Sequence, residues 1–216
     1  MSFGSGVRSL FGPLEPAIAR IYRGIFIDIG AFADTLSSWV TPTRILEVGC
    51  GEGHLTEELS RVFPSASITG IDISPRLGRL FGGNRSRVTF RNIPVEQLVA
   101  ENPAAFDLVI ICDVLHHVPV PARAAFLANC AACVAHGGAF VLKDWKRTRT
   151  LIYGLCYFSD RFISQDQVVT YETAEDLRER FGLAFEPVSR EAYVPPWRSN
   201  ILLFGIRTKM PTSLPR

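Results

Sequence analysis

Three closely spaced glycines directly after a short strand-like run restrict the fold more than any other feature of the chain. The run at 45–48 is followed by Gly49, Gly51 and Gly53, and then by a helix-like pattern. Glycine tolerates positive φ angles and leaves the backbone uncovered by a Cβ atom. The spacing therefore predicts a strand, a tight turn that a ligand can approach closely, and a helix over 54–63.

The rest of the chain continues this alternation of strands and helices. Apolar runs without polar interruptions predict buried strands, and such strands separated by helices require a parallel sheet covered on both faces. The predicted strands are 68–71, 88–90, 108–112 and 139–142, and the predicted helices are 75–81 with Ser74 as its cap, 95–99 and 121–135, with a turn at 137–138.

The C-terminal part predicts a different connection between strands. A helix over 173–181 is expected to end at Gly182, in the C′ position where glycine is common. Two strands follow at 184–193 and 201–207, and the loop between them is too short for a helical crossover. We therefore expect an α/β fold in which an antiparallel hairpin lies at one edge of a parallel sheet.

Apolar residues at helical spacing precede the first strand and predict one further helix. The residues on this stripe are Ile25, Ile29, Phe32, Leu36 and Trp39. We accordingly divide the chain into a mobile N-terminus at 1–13, an N-terminal helical cap at 14–43, a main domain at 44–207 and a tail at 208–216.

Charge and cysteine content argue against several classes of protein. The 23 basic and 21 acidic residues give a net charge of +2, so we expect no nucleic-acid partner. The odd number of cysteines, five, does not fit a disulfide framework. Cys130 and Cys133 have CxxC spacing, but the second pair that a zinc site needs does not follow. We interpret both as small buried residues.

Export and membrane insertion are also not expected. The N-terminus lacks the charged and apolar regions of a signal peptide. The uncharged run at 124–142 contains Asn129, His136 and the glycine pair at 137–138, so it fits a buried helix, a turn and a buried strand better than a membrane span. We predict a cytoplasmic protein without stable membrane insertion.

The residues around the glycines indicate what the loop binds. Its GxGxG spacing differs from the GxGxxG of dinucleotide sites, and no Gly-Lys-Ser/Thr follows as in a phosphate loop. The carboxylate of Glu47, close before Gly49, would repel a phosphate, so a cationic or zwitterionic group fits better. Asp72 ends the second strand, where an acid can accept hydrogen bonds from both ribose hydroxyls.

Four motifs of the chain resemble, in order and spacing, those of the class I S-adenosylmethionine-dependent methyltransferases. They are ILEVGCGEG, ITGIDIS, FDLVIICDVLHHVP and GGAFVLKDW, and the resemblance covers residues 44–207. It implies a Rossmann-like, seven-stranded, mostly parallel sheet with an antiparallel last strand and helices on both faces, and S-adenosyl-L-methionine as cofactor. The segments KDW and YFSDRF also look like small stand-alone methyltransferases of aryl-polyene, polyketide or fatty-acid-like pathways.

The resemblance also implies cofactor contacts by position. Glu47 would hold the amino group of the methionine part, Asp72 would bind the ribose, and Ile73 would pack on adenine. Pro94 stands where family members often have an acid for the adenine amino group, so the backbone at 93–95 would take over this contact. The expected cofactor-binding residues are Glu47, Gly49, Cys50, Gly51, Gly53, Asp72, Ile73, Ile93 and Asp113.

The residues after the fourth strand are the candidate catalytic residues, since ligands bind at the carboxyl ends of parallel strands. They are Asp113, His116 and His117. Methyl transfer to oxygen or nitrogen needs an aligned acceptor and often a base, and histidine is the commonest base near neutral pH.

Two alternatives stay open for these residues. His117 packs under the loop without a chemical role, or Asp113, His116 and His117 at i, i+3 and i+4 together hold a metal ion. The second pattern is similar to the Glu-x-x-Glu-His version of some quinone-type O-methyltransferases. We expect no metal.

The candidate substrate-binding residues follow the fifth strand, and they are Lys143, Trp145, Tyr153 and Tyr157. The stretch 143–149 carries four cations and is either a solvated loop or a recognition surface for an anionic group, such as a carboxylate, a phosphopantetheine or an acidic carrier protein. The apolar, aromatic segment 146–170 is expected to cap the site with the N-terminal helix and to exclude water. Core packing is the alternative for its aromatic residues.

The predicted function is methyl transfer from S-adenosylmethionine to a small, partly apolar acceptor, preferably to a hydroxyl oxygen. The acceptor is either free or bound to a carrier protein. Two other functions stay open, an aminopropyl transferase on the same fold and a module that binds the cofactor without catalysis.

Overall fold

A seven-stranded sheet with the strand order β3-β2-β1-β4-β5-β7-β6 forms the centre of the computed structural model, which describes residues 24–158, 160–161 and 169–208. The strands are β1 (Arg44–Val48), β2 (Ser67–Ile71), β3 (Val88–Arg91), β4 (Phe106–Cys112), β5 (Val134–Trp145), β6 (Arg190–Tyr193) and β7 (Asn200–Ile206). Strands β1 to β5 pair in parallel, and β7 pairs antiparallel with β5 and with β6. The predicted fold class is therefore confirmed.

Helices cover both faces of this sheet. They are α1 (Ile29–Trp39), α2 (His54–Val62), α3 (Val95–Glu101), α4 (Arg123–Ala132), α5 (Leu151–Phe158) and α6 (Ala174–Ala184). Short 3₁₀ turns lie at Arg85–Arg87, Leu115–His117 and Val120–Ala122. In the part of the chain that is described, every helix is too short or too polar to cross a bilayer.

Several predicted segments lie wholly or partly outside the described residues. These are the N-terminus at 1–13, the first part of the cap at 14–23, residues 159 and 162–168 of the predicted substrate cap, and the tail from 209 onwards. The division of the chain into cap, main domain and tail therefore stays a prediction.

Successive residues of the central strands face opposite sides of the sheet, and both sides are buried. In β4, Val109 and Ile111 pack with residues of α3, α4 and α6, whereas Leu108 and Ile110 pack with residues of α1 and α2. All four side chains are fully buried. A strand covered on both faces shows a continuous apolar run rather than an alternating one, as this sequence does.

Parallel pairing brings the ends of four strands to one edge of the sheet. Val48 of β1 is in register with Ile71 of β2 and with Ile111 of β4. Cys112 of β4 is in register with Lys143 of β5. The loops that follow these strands, the glycine loop among them, therefore lie at this same edge.

Helix α1 is part of the hydrophobic core. Asp28 caps it, since its carboxylate accepts a hydrogen bond from a backbone N–H of the first turn at 2.9 Å. Phe32 and Leu36 are fully buried in the core cluster that also contains residues of α2. Ile25 of the predicted stripe is 49% exposed, because the chain leaves helical geometry at Ile27.

The predicted helix over 75–81 is wrong, since residues 75–80 form consecutive turns. Gly78 has a φ of +60°, and a Cβ atom there would lie 2.7 Å from the ring of Phe90. The Gly78 N–H donates to the carbonyl oxygen of Gly51 at 2.9 Å. Contacts with the sheet and with the glycine loop therefore replace the helical hydrogen bonds.

Gly182 does not end the last helix, and this prediction is also wrong. Helix α6 continues to Ala184, and the Phe185 N–H donates to the carbonyl oxygen of Phe181 at 3.0 Å. The extra turn packs the Phe185 ring against Phe140 in the core. The strand predicted at 184–193 is consequently shortened to β6, while its antiparallel pairing with β7 is confirmed.

The predicted boundary between helix and strand near residue 135 is also shifted. Helix α4 ends at Ala132, and β5 already begins at Val134, which is in register with Phe106. The glycine pair at 137–138 forms no turn but lies inside β5, where the register with β4 shifts. Gly137 has a φ of +75°, which accommodates this irregularity.

All five cysteines lie in the described part of the chain, and all are free thiols. Cys130 and Cys133 are fully buried in the core cluster on the α4 side of the sheet. The interpretation of this CxxC pair as small buried residues is confirmed.

Replacing Leu36 with Ala tests whether α1 contributes to the core. We expect the free energy of unfolding to fall by about 2–5 kcal/mol, because a fully buried leucine side chain leaves a cavity. Ser37→Ala, on the exposed side of the same helix, should change it by less than about 0.5 kcal/mol. Urea unfolding followed by circular dichroism measures both, and equal small changes would show that α1 lies outside the cooperative core.

Candidate active site

The glycine loop is held at the end of β1 by backbone contacts with β2. The N–H groups of Gly49 and Cys50 both donate to the carbonyl oxygen of Ile71, at 2.8 and 3.1 Å. A Cβ atom at Gly49 would lie 2.3 Å from the Val114 side chain, so this position admits only glycine. A Cβ atom at Gly51, whose φ is +50°, would meet nothing within 4 Å. The loop is thus packed against Val114 at Gly49 and open at Gly51, where a ligand can approach its backbone.

Asp72 connects the end of β2 to this loop. One carboxylate oxygen accepts a hydrogen bond from the Gly51 N–H at 2.7 Å, and the other accepts one from the Ser74 N–H at 2.7 Å. The side-chain amide of Asn92 donates to the Asp72 carbonyl oxygen at 2.7 Å. The neighbouring Ile73 is 79% exposed. The structure therefore brings together the glycine loop and the residues expected to bind ribose and adenine.

The adenine contact expected from the backbone at 93–95 stays a prediction. Ile93 is partly buried against the core, and its N–H donates to the carbonyl oxygen of Arg91 at 3.1 Å. Pro94 forms the cap of α3, which begins at the buried Val95. Cys50 is buried too, and burial raises the pKa of its thiol, so its predicted contact with the cofactor stays a prediction for its backbone.

Glu47 is a buried carboxyl group just before the glycine loop. It is paired with a hydroxyl rather than with a cation, since Thr56 Oγ1 donates to its Oε2 at 2.6 Å. Burial raises the pKa of Glu47 to about 8, and the Thr56 hydrogen bond only partly opposes this shift. An ammonium group placed beside Glu47 would favour the ionised form.

Asp113 directly follows β4 in a left-handed backbone conformation, with a φ of +55°. Both of its carboxylate oxygens lie 2.6 Å from Lys143 Nζ. Lys143 is fully buried, and although burial lowers its pKa, the charge and hydrogen bond of Asp113 together with other neighbouring groups raise it overall. The pair is therefore an ammonium–carboxylate contact at the ends of β4 and β5.

The expected basic loop at 143–149 begins later than predicted. Lys143, Asp144 and Trp145 are buried, because pairing with β7 extends β5 to Trp145. Arg147 and Arg149 are exposed. An exposed basic surface is therefore formed by the later residues of this stretch, without Lys143.

His116 and Asp144 form a buried pair beside the Asp113–Lys143 contact. His116 Nδ1 lies 2.5 Å from Asp144 Oδ1, and the His116 backbone N–H donates to Asp144 Oδ2 at 3.1 Å. Burial lowers the pKa of His116, but the carboxylates of Asp144, Asp160 and Asp113 together raise it above its ordinary value. Burial likewise raises the pKa of Asp144, but the charge and hydrogen bond of His116, the charge of Lys143 and the Trp145 N–H together lower it overall.

Two residues that the sequence did not indicate lie on the other side of the imidazole. His116 Nε2 lies 3.6 Å from Asp160 Oδ2, and the Tyr171 ring is stacked on His116 with 4.6 Å between the ring centres. The Tyr171 hydroxyl donates a hydrogen bond to Asp160. A single aspartate inside an apolar, aromatic stretch is the one sequence signal that could have pointed to Asp160.

His117 lies next to this group, with its ring centre 4.0 Å from that of His116. Among the residues that the structure describes, those whose ligand atoms lie within 4.8 Å of one another are instead Asp113, His116 and Asp144, so His117 is not in this set. Lys143 holds an ammonium group against Asp113, which opposes a divalent cation there. We therefore assign no metal to these residues.

The candidate substrate-binding aromatics are divided between a cluster and the surface. Trp145 is buried with Cys156 and Tyr171, and Tyr153 packs edge-on against Tyr171 with 5.5 Å between ring centres. Tyr157 lies on the exposed side of α5. The structure thus brings Trp145 and Tyr153 near His116, through Tyr171, but not Tyr157.

Replacing Glu47 with Gln tests the buried carboxyl group. In the folded protein its pKa is about 8, against 4.5 as its ordinary value, so folding binds a proton between these pH values and stability falls as the pH rises through them. Glu47→Gln removes this ionisation, so the melting temperature of the variant should match that of the wild type near pH 5 and exceed it near pH 8.5. The gain in the free energy of unfolding at the higher pH should be roughly 1–3 kcal/mol.

Glu58→Gln is the matched control for this measurement, because Glu58 lies on the same side of the sheet, in α2, but is partly exposed and paired with Arg61. The difference in melting temperature between Glu58→Gln and the wild type should not grow between about pH 5 and pH 8.5 as it does for Glu47→Gln. A Glu47→Gln effect that is equal at both pH values would contradict the assigned environment.

Comparison with known proteins gives the family. A family model described as a methyltransferase domain matches residues 46–140. The ubiquinone biosynthesis O-methyltransferase of Xanthomonas euvesicatoria pv. vesicatoria is 34% identical over 174 residues, which cover 74% of this chain and 70% of that protein. The protein of the same name from Xylella fastidiosa is 32% identical over 220 residues, which cover 94% and 82%.

Solved structures show the same fold. The 1,6-didemethyltoxoflavin-N1-methyltransferase of Burkholderia thailandensis has a TM-score of 0.65 at 17% identity, over 96% of this chain and 89% of that chain. Human N-acetylserotonin methyltransferase has a TM-score of 0.64 at 14% identity, over 96% and 55%. With the sequence relatives and the motif geometry, this places the chain in the class I S-adenosylmethionine-dependent methyltransferase family, as a methyltransferase whose cofactor is S-adenosyl-L-methionine.

Proposed function

We propose that this enzyme transfers the methyl group to a hydroxyl oxygen of a small, partly apolar acceptor. The observation that carries the proposal is the buried pair of His116 and Asp144 at the ends of β4 and β5. A hydroxyl must lose its proton as its oxygen attacks the methyl group, and a histidine oriented by a carboxylate accepts protons efficiently. Asp144 stabilises the imidazolium that forms.

The residues at the ends of β1 and β2 fit the cofactor. Bound S-adenosyl-L-methionine supplies the methyl group on a positively charged sulfur. Asp72, which accepts a hydrogen bond from the Gly51 N–H, would also accept hydrogen bonds from the ribose hydroxyls, and the open side of Gly51 leaves room for the ligand beside the backbone. Ionised Glu47 would face the amino group of the methionine part, and exposed Ile73 would cover one face of adenine.

The aromatic cluster under α5 supports an acceptor with an apolar ring. Trp145, Tyr153 and Tyr171 pack together next to the proposed base. The relatives are named for O-methylation in ubiquinone biosynthesis, which supports transfer to an oxygen of the acceptor. Exposed Arg147 and Arg149 favour an acceptor with a negative group, either free or attached to a carrier protein.

Other interpretations of the sequence receive less support. Methyltransferase relatives do not favour aminopropyl transfer or a binding role without catalysis. The resemblance to enzymes of aryl-polyene or polyketide pathways, the carrier-protein partner and the cytoplasmic location stay predictions.

An acceptor assay tests the proposed reaction, with 3,4-dihydroxybenzoate as the probe because it combines a ring, hydroxyl groups and a carboxylate. We expect methylation of a hydroxyl group, and a kcat that rises with pH as His116 loses its proton, above its ordinary pKa of 6.5. His116→Asn should lower kcat by about 10²–10⁴ and remove this pH dependence, with little change in cofactor affinity by calorimetry.

His136→Asn is the matched control, because His136 is an exposed histidine at the opposite end of β5. It should leave kcat unchanged. Methylation of amine analogues but of no phenol, or full activity of His116→Asn, would contradict hydroxyl methylation through His116.

A further inference from the structure

The imidazole of His116 is enclosed on every described side. It is 3% exposed, with Asp144 at Nδ1, and the stacked ring of Tyr171 covers one face. The titratable groups that surround it, from β4, β5 and the segments around α5, are Asp113, His117, Asp144, Asp160 and Tyr171. An acceptor hydroxyl therefore does not reach His116 directly in this arrangement.

Asp160 connects the enclosed imidazole to the outside. Its Oδ2 lies 3.6 Å from His116 Nε2, the nitrogen that is not held by Asp144. Its side chain is 21% exposed, against 3% for the imidazole. Burial raises the pKa of Asp160, which makes its carboxylate a stronger proton acceptor than a fully exposed aspartate. It is thus both a neighbour of the base and accessible to a ligand.

We propose that Asp160 is a further catalytic residue, which takes the proton of the acceptor hydroxyl and passes it to His116. Tyr171 is its positioning residue, since the tyrosine hydroxyl donates to the Asp160 carboxylate while the ring stacks on His116. This proposal rests on the proposed function, and it adds the residue that contacts the acceptor.

The proton transfer balances without a further reactant. The acceptor O–H bond breaks and its proton moves to Asp160, while the oxygen forms a bond to the methyl carbon. The carbon–sulfur bond breaks, and its electron pair stays on sulfur, which becomes a neutral thioether. The proton then moves from Asp160 to His116 Nε2, and the resulting imidazolium lies between the carboxylates of Asp144 and Asp160.

Tyr171 is itself held in place by contacts with the loop after β4. The N–H of the preceding Thr170 donates to the His116 carbonyl oxygen at 2.9 Å. The fully buried guanidinium of Arg123 donates to the carbonyl oxygens of Thr170 at 2.6 Å and of Val118 at 2.9 Å. The ring that orients Asp160 is therefore fixed to the same loop that carries His116.

A double-mutant cycle with 3,4-dihydroxybenzoate tests the proton transfer between the two residues. Asp160→Asn should lower kcat by about 10² or more, as expected for loss of a general base. The double variant Asp160→Asn with His116→Asn should be no slower than the slower single variant, because both residues act on one proton. The proposal would be overturned if the double variant lost kcat by the product of the two single losses, or if Asp160→Asn had the kcat of the wild type.

Tyr171→Phe keeps the stacked ring and removes the hydrogen bond to Asp160. We expect kcat to fall roughly tenfold, with the KM for S-adenosylmethionine and the melting temperature close to wild type. A fall in melting temperature with unchanged kcat would show a structural role only, which would overturn the role of Tyr171 as positioning residue.

A measurement without an acceptor separates this proposal from the proposed function. NMR titration should give a lower pKa for His116 in the Asp160→Asn variant than in the wild-type protein, because a carboxylate that faces Nε2 is lost. An unchanged titration would overturn the contact and the proposal with it. Wild-type enzyme that methylates no hydroxyl, with the shifted titration intact, would instead overturn the proposed function.

Discussion

Parallel pairing of β1 with both β2 and β4 creates the edge on which the rest of the site depends. Because these strands run in one direction, the loops that follow them converge although they are far apart in the sequence. The chain leaves β1 toward β2 on one side and returns as β4 on the other, which opens a crevice between their loops. Asp72 and Val114 therefore contact the same glycine loop from opposite sides.

The edge has two halves, one at the ends of β4 and β5 and one at the ends of β1 and β2. They differ in whether a buried charged group has a partner of opposite charge. At the ends of β4 and β5, Lys143 and His116 are each matched with a carboxylate, which offsets the cost of burying the ions. Antiparallel β7 makes this possible, because it extends β5 so that Asp144 is a rigid strand residue. At the end of β1, buried Glu47 lacks such a cation in the described contacts, and its raised pKa records that cost. A positively charged cofactor beside Glu47 would favour its ionised form and so offset this cost.

Local patterns determine most of the fold, and the sequence therefore predicts it well. Apolar runs define the strands, and the glycine spacing defines the loop. The failures arise where tertiary contacts outweigh local preference. Packing of Phe185 in the core carries α6 past Gly182, and the contact of Gly78 with the sheet prevents a helix. Asp160 and Tyr171 could not be connected with the base, because only folding brings these distant segments together.

A crystal structure with S-adenosylhomocysteine, the demethylated cofactor, would locate the reacting sulfur relative to both halves of the edge. We predict ribose hydroxyls within hydrogen-bond distance of Asp72, and the sulfur above the end of β4, on the side of Asp160 and His116. A nucleoside bound away from the glycine loop, or a sulfur directed away from these two residues, would contradict the arrangement of cofactor and base described above.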